Sequence, residues 1–252
     1  MAQDHASGGR VVGRVRDIRR YPVSSMGGEL LTEAEVESGG LAGDRKIGLF
    51  ATETGEVAAP GRHRHWRPLA NVLARLGRDG VEISLDRATW IGAEQGALAL
   101  SAYLGFRVEF RAYDGTEQAR SLYELSPIHL LTTSSMAALQ RILPDATIDA
   151  RRFRCNLVIE TQAGAEPVEQ AWLGKRLSIG GVVLEGSEPC ARCAFTSLAQ
   201  EPDLPFDKRV HTAISQRLDG NLGLYCSVIE PGRLRVGDEI VLAEFNASRP
   251  SG

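Results

Sequence analysis

Arg176-Leu177-Ser178-Ile179-Gly180-Gly181-Val182-Val183-Leu184-Glu185 is the stretch on which the fold turns. Arg176 to Ile179 and Val182 to Glu185 are short strand-like runs, and Gly180-Gly181 between them reads as a hairpin turn. The neighbouring sequence continues in the same style. Asn156 to Glu160, Leu224 to Ile229 and Glu239 to Leu242 are further strand-like runs, and Arg235 to Glu239 reads as a turn into the last of them. Upstream, Val11 to Arg20, Lys46 to Phe50, Val81 to Leu85 and Arg107 to Ala112 predict strands. Pro68 to Leu76 and Ala93 to Leu104 carry helical spacing. Ile128 to Leu131 predicts a strand running into Thr132-Thr133-Ser134-Ser135, hydroxyls that precede the apolar-periodic Met136 to Leu143. Thr133 or Ser134 is therefore the expected helix N-cap. Together these elements predict an α+β, mainly β protein: a mostly antiparallel β-barrel core with a few packed helices.

The composition bounds the partners. A net charge of −3 argues against bulk electrostatic capture of nucleic acid. No apolar run reaches the roughly 18 residues that a membrane-spanning helix needs, so no membrane partner is expected. Four cysteines in 252 residues are too few for a disulfide scaffold, which points to a reducing, cytoplasmic setting. Each cysteine is then a candidate ligand, nucleophile or buried apolar group.

Beyond the hairpin lies Pro189-Cys190-Ala191-Arg192-Cys193. As half a zinc site it lacks a second pair, because Cys155 and Cys226 stand alone and nothing fixes His63 or His65 as partners. As a redox disulfide it lacks the flanking strand and helix of a thioredoxin-like motif. Two inert buried thiols in a loop after a strand are a third reading. Arg192 between the thiols favours a thiolate, which is also what a soft metal requires. Arg45, Arg152, Arg154 and Arg192 stand at strand ends near Gly, Ser and Thr clusters, an arrangement suited to an oxyanion or phosphate. Ser24-Ser25 with Gly27-Gly28 could meet the same anion, and no Walker-type or Gly-x-Gly-x-x-Gly sequence offers an ordinary nucleotide site. Gly61 to Arg67 (Gly-Arg-His-Arg-His-Trp-Arg) reads best as a solvated basic loop, with a contribution to an anionic pocket as the alternative.

Taken in order, the motifs resemble the MOSC family, named after the C-terminal part of molybdenum cofactor sulfurases. Tyr21-Pro22-Val23-Ser24-Ser25 and Gly43-Asp44-Arg45 resemble its N-terminal β-barrel module. Arg152 to Ile159, Glu169-x-x-Trp172-x-Gly174, Pro189 to Cys193 and Gly232-x-Leu234-x-Val236-Gly237-Asp238 resemble the MOSC domain proper. Within the family the arrangement is similar to bacterial single-chain members and to the mitochondrial amidoxime reducing component. The resemblance implies a β-barrel-like module over residues 10–115 and a MOSC domain over residues 120–245. It also implies a molybdenum cofactor, a molybdopterin dithiolene carrying a phosphate, with Cys193 as catalytic metal ligand and Cys190 as a neighbour. Ser24, Ser25 and Arg45 match positions that hold the phosphate. Thr132, Thr133, Ser134 and Ser135 match a loop beside the pterin, and Arg154, Asn156, Ala191 and Arg192 match positions around pterin and metal. Three positions depart from the pattern: Ser24 replaces a frequent lysine, Thr133 an acidic residue of the amidoxime-reducing relatives, and Cys155 a common proline. The implied activity is reduction of N-hydroxylated small molecules, with electrons from a separate electron-transfer protein or reductase, since no plant-type Cys-x₄-Cys-x₂-Cys run is present. A sulfur carrier working through a cysteine persulfide, or a noncatalytic cofactor-binding protein, is the alternative.

Overall fold

Gly180 adopts φ 56°, and the chain reverses there so that Ile179 faces Val182, as the hairpin reading predicts. The computed structural model describes residues 9–114, 116, 126–162, 167–200 and 202–243. Its strands and helices, in chain order, begin with β1 (Gly9–Arg20), β2 (Glu29–Leu31), β3 (Glu33–Glu37), β4 (Gly40–Leu41) and β5 (Ile47–Ala51). Then come β6 (Leu73–Gly77), β7 (Gly80–Ser84), β8 (Ile91–Gly92), α1 (Ala93–Leu104) and β9 (Val108–Ala112). The rest are β10 (Ile128–Thr132), α2 (Thr133–Ile142), β11 (Leu157–Glu160), β12 (Arg176–Ile179), β13 (Val182–Ala191), α3 (Lys208–Arg217), β14 (Asn221–Glu230), β15 (Gly232–Arg235) and β16 (Glu239–Ala243).

Seven of these strands close on themselves in the order β11-β10-β14-β13-β12-β16-β1, with β1 pairing back onto β11. Every pair is antiparallel except β10 with β11. Closure leaves no barrel edge unpaired and turns alternate residues inward. Val15, Ile18, Leu130, Leu157, Ile159, Leu177, Leu184, Leu224 and Ile240 fill the interior, each buried. At about 1.5–3 kcal/mol per large apolar side chain, this filling is the main force holding the strands in register. A second core, around Trp66, Leu69, Val72, Ile83 and Leu100, joins α1 to the small β6-β7-β8 sheet and to the β5-β9 pair. Apart from Thr116, the stretch between residues 115 and 120, where the two modules were expected to meet, lies outside the described residues.

Two local expectations are corrected. Pro68 to Leu76 is helical only at its start: a 3-10 helix spans Arg64–Asn71, Val72 is already extended at φ −82° and ψ 131°, and Leu73 opens β6. The apolar residues Leu69 and Val72 are buried as the spacing demands. However, the backbone of Val72 and Ala74 pairs with Gly27, through Gly27 N to Val72 O and Ala74 N to Gly27 O. Sheet pairing wins there over a helical pattern that Pro68 already weakens. The N-cap of α2 is Thr132, one residue earlier than expected, and its hydroxyl accepts from Ser135 N at 3.2 Å.

Strand β13 also runs further than Glu185. It continues through Pro189 and Cys190 to Ala191, with the register slipping between Gly186 and Glu188 and again between Pro189 and Ala191. Proline is tolerated in such an irregular stretch. The continuation carries Cys190 on the strand and leaves Cys193 just past its end.

Candidate functional site

A cavity of about 440 Å³ opens where the barrel meets the smaller sheets. Its wall brings together segments far apart in sequence: Ser24 and Ser25 after β1, Arg45 before β5, the turn from Val57 to Gly61, Arg152 to Arg154 before β11, and Ala191 to Cys193 after β13. Four guanidinium-bearing residues (Arg45, Arg152, Arg154 and Arg192) line it, and among the described residues no carboxylate does. Such a volume suits a ligand of moderate size, and such a charge suits an anion.

Three lining residues hold left-handed backbone without being glycine: Ser25 at φ 73°, Arg45 at φ 49° and Arg154 at φ 51°. Conformations of this kind persist where surrounding contacts over-determine them. Arg45 illustrates how. Its Nη2 donates to the carbonyl oxygen of Arg154 at 2.6 Å, its Nη1 to Asn156 Oδ1 at 3.2 Å, and Nη1 also pairs with Asp44. Burial opposes the charge on Arg45, but Asp44 and Tyr21 outweigh it and raise its affinity for the proton. Arg154 donates to Met26 O and stacks on Tyr21, its Cζ 4.3 Å from the ring centroid, while Phe195 lies at 5.2 Å. Burial and the neighbouring Arg45 bring Arg154 down to about 10, and the nearby Cys193 is among the groups acting the other way.

The two thiols of the motif differ sharply. Cys193 is exposed, whereas Cys190 is fully buried, and burial pushes the Cys190 thiol up. Neither is in a disulfide, and among the described residues no group of three or more His, Cys, Asp or Glu could hold a metal ion. The two-thiol zinc reading therefore has no supporting ligand set. Arg192 does not present its guanidinium to the cavity as a free charge. Its Nε donates to Leu222 O at 2.7 Å, its Nη1 to Phe153 O at 2.8 Å and its Nη2 to His129 Nε2 at 2.6 Å. Arg152 is likewise occupied by carbonyl oxygens of Thr147, Thr196, Leu198 and Pro205. Among the described residues, the Arg154 guanidinium makes a single hydrogen bond, to Met26 O, and so retains donors for a ligand.

The other expected residues fall into two groups. Ala191 lines the cavity beside Cys193. Asn156 stands behind the wall, where its Oδ1 accepts from Arg45 and from His129 N at 3.0 Å and its Nδ2 donates to Arg19 O at 3.3 Å. Thr132, Thr133, Ser134 and Ser135 do not line the cavity. Thr132 Oγ1 donates to Glu169 Oε2 at 2.5 Å and Ser135 Oγ donates to the other oxygen of the same buried carboxylate. Ser134 Oγ accepts from Thr161 Oγ1 at 3.1 Å, and Thr161 N donates to Thr133 Oγ1 at 3.0 Å. This cluster fixes the start of α2 against β11.

His129 and Tyr225 line the cavity without having stood out in the sequence, and Gly61 lines it as the first residue of the basic run. His129 is held well below the usual imidazole range by burial, then by Arg192 and Arg45, so it is neutral and accepts from Arg192. A lone histidine in an apolar strand gives no sequence signal of such a role. Gly61 did carry one, since it follows Pro60 and opens the basic run.

One atom gives a direct test of whether an anion-bearing cofactor belongs here. Ser24 Oγ is buried at the wall and has no hydrogen-bond partner, a state that costs about 1–3 kcal/mol unless a ligand meets it. Arg154 and Arg45 line the same cavity with their charges, and Cys193 adds an accessible sulfur to it. The donor set fits a phosphate-bearing group that also takes a sulfur ligand.

Comparison with known proteins places this geometry in context. The family profile described as MOSC domain matches residues 117–241. A molybdenum cofactor sulfurase of Drosophila erecta is 33% identical over 118 residues, which span 46% of this chain and 14% of that protein. Its Drosophila melanogaster counterpart is 36% identical over 85 residues, 33% of this chain and 10% of the relative. The chain thus matches only a small part of these relatives. Among solved structures, the YUAD protein of Bacillus subtilis is 12% identical with a TM-score of 0.47, over 92% of this chain and 97% of that one. YiiM of Geobacillus stearothermophilus is 21% identical with a TM-score of 0.35, over 49% of this chain and 57% of that one.

Proposed function

The chain belongs to the MOSC domain family through residues 117–241, and from that premise we propose that it is a molybdenum-cofactor-dependent oxidoreductase reducing N-hydroxylated compounds. The observation that carries the proposal is the pairing, in one cavity, of an orphaned buried Ser24 hydroxyl and Arg154 with the exposed Cys193 sulfur. When bound, the cofactor supplies a metal that exchanges an oxygen atom with substrate while cycling between oxidation states.

The protein contributes binding and orientation. Ser24, Arg154 and Arg45 hold the cofactor phosphate, with Ser25 fixing the wall by donating through Oγ to Ala58 O at 2.8 Å. Asn156 and Asp44 hold Arg45, so its guanidinium is in place before any ligand arrives, which lowers the entropic cost of binding. Arg192 and His129 join Phe153, Leu222 and β10 beside the sulfur ligand and keep Cys193 in place. Thr132 to Ser135 act at one remove, by anchoring α2 through Glu169. Conversion of an N–OH group to N–H releases water and consumes two protons and two electrons. The electrons come from a separate reductase. The test is turnover of an N-hydroxylated amidine with reduced viologen as donor, using protein made in a cofactor-competent host. Amidine formation that disappears in Cys193→Ala is expected; molybdenum-loaded wild type without turnover would overturn the activity.

The exposure of Cys193 favours a second reading, in which its sulfur accepts a sulfane sulfur from a persulfide donor and passes it to a partner. Intact mass separates the two. A thiol-reversible gain of one sulfur atom at Cys193, in protein free of molybdenum, supports the carrier.

A further inference from the structure

The turn from Ala59 to His63 brings Gly61 against the exposed thiol in the cavity wall. A Cβ placed on Gly61 would stand 3.2 Å from Cys193 Sγ and 3.3 Å from Phe195 N. Both approaches are tighter than ordinary van der Waals contact, and one of them is to backbone that cannot swing aside. The turn itself has little freedom to retreat. Arg62 N and His63 N both donate to Ala59 O at 2.9 Å, Ala58 N donates to Leu49 O at 2.8 Å, and Ser25 Oγ holds Ala58 O. Pro60 further restricts the backbone before Gly61. One braced turn therefore links Ser25, which holds Ala58 O, to Gly61, the point where the turn faces the Cys193 sulfur.

Gly61 has no need of a left-handed backbone, since its φ is not among the positive values. Flexibility or turn geometry therefore does not explain a glycine at this position, and the missing side chain does. We infer that Gly61 is a specificity-determining residue of the thiol site: its bare Cα lets the turn pack beside Cys193 without a side chain pressing on the sulfur, which leaves the thiol accessible to a ligand. Any side chain would press on the sulfur and on the Phe195 backbone. The inference rests on the reading of Cys193 as the metal-bearing sulfur, and it assigns to a basic surface loop a direct role in what that sulfur can hold.

The test compares wild type, Gly61→Ala and Gly61→Val as full chains, first made in a host unable to synthesise the cofactor. Iodoacetamide labelling is followed by mass spectrometry at each cysteine. Cys155, Cys190 and Cys226 are buried and serve as internal reporters of folding. In wild type Cys193 should label first. Gly61→Ala should slow Cys193 by about tenfold, the consequence of overpacking a close contact, and Gly61→Val by more, with the three buried thiols still protected. Unchanged Cys193 labelling in both variants overturns the inference. Exposure of the buried thiols also overturns it, because Gly61 would then serve folding and not access. A second arm measures molybdenum per chain after expression in a competent host, where both variants should hold less than wild type. If wild type holds none, the functional proposal fails, while the labelling result still decides the role of Gly61.

Discussion

Arg45 donates through Nη2 to the carbonyl oxygen of Arg154 at 2.6 Å, so that two cationic side chains share one wall and each flanks the ring of Tyr21. The bond is to backbone, and it pins Arg154 in its left-handed conformation while both guanidiniums stay beside the cavity. Among the described carboxylates only Asp44 pairs with either of them, and it pairs with Arg45. The like charges are a standing cost that an anionic ligand would relieve.

From that cost comes an opposed effect on stability and binding. Arg154→Met removes a cation whose affinity for its proton is lowered to about 10 by burial and Arg45. Discounted for partial solvent access, relief of this strain should raise the stability of the ligand-free protein by about 1 kcal/mol, or roughly 2–4 °C in melting temperature. Pterin retained per chain should fall by about tenfold or more, as expected for loss of a hydrogen bond to a charged group. Thermal melts of ligand-free protein and pterin analysis of loaded protein check the two halves, and a drop in both would contradict the account.

His129 makes stability depend on pH. Its folded state stays neutral, since burial, Arg192 and Arg45 hold its affinity for a proton well below that of an exposed imidazole. The unfolded chain takes up a proton near pH 6.5, so it binds more protons than the folded chain below that value. Stability from this group is thus fully present above about pH 6.5 and declines as pH falls, with a limiting slope of about 1.4 kcal/mol per pH unit. The groups facing the imidazole are Arg192, Arg45, the Arg154 backbone and Tyr225. Urea unfolding between pH 7.5 and 5 should show the decline in wild type and a shallower one in His129→Gln.

Glu169 should matter for stability and little for the thiol. Its buried carboxylate takes hydrogen bonds from Thr132 and Ser135, and Glu169→Ala leaves both hydroxyls without that partner. A loss of about 2–3 kcal/mol in unfolding free energy is expected, with Glu169→Gln milder. Labelling of Cys193 in native Glu169→Ala should match wild type.

Much of this was legible in the sequence, and the reasons differ by element. The Gly180-Gly181 hairpin, helix α1 and strands β14 and β16 are local patterns, and local patterns survive folding. The barrel itself was inferred from the density of short strands, yet its closure depends on β1 pairing with β11, a contact between residues such as Val15 and Ile159 that no local signal reports. Arg192, between the two thiols, lines the cavity and its charge acts in favour of the Cys190 thiolate, but its hydrogen bonds could not be read from the motif. Arg192 turns toward Leu222, Phe153 and His129, carbonyl and imidazole partners supplied by three other segments. The Thr132 to Ser135 hydroxyls similarly found Glu169, 34 residues beyond Ser135. The run opening at Gly61 draws attention to its charges, whereas what Gly61 brings to the cavity is a missing Cβ against a sulfur, which sequence does not report.

The central claim is that one sulfur, Cys193, bears the metal and that Cys190 does not. Molybdenum and pterin per chain should be measured in wild type, Cys193→Ala and Cys190→Ala, all expressed in a cofactor-competent host. The account predicts molybdenum in wild type and in Cys190→Ala, and its loss in Cys193→Ala. Equal loss in both variants, or zinc in place of molybdenum in wild type, would contradict it.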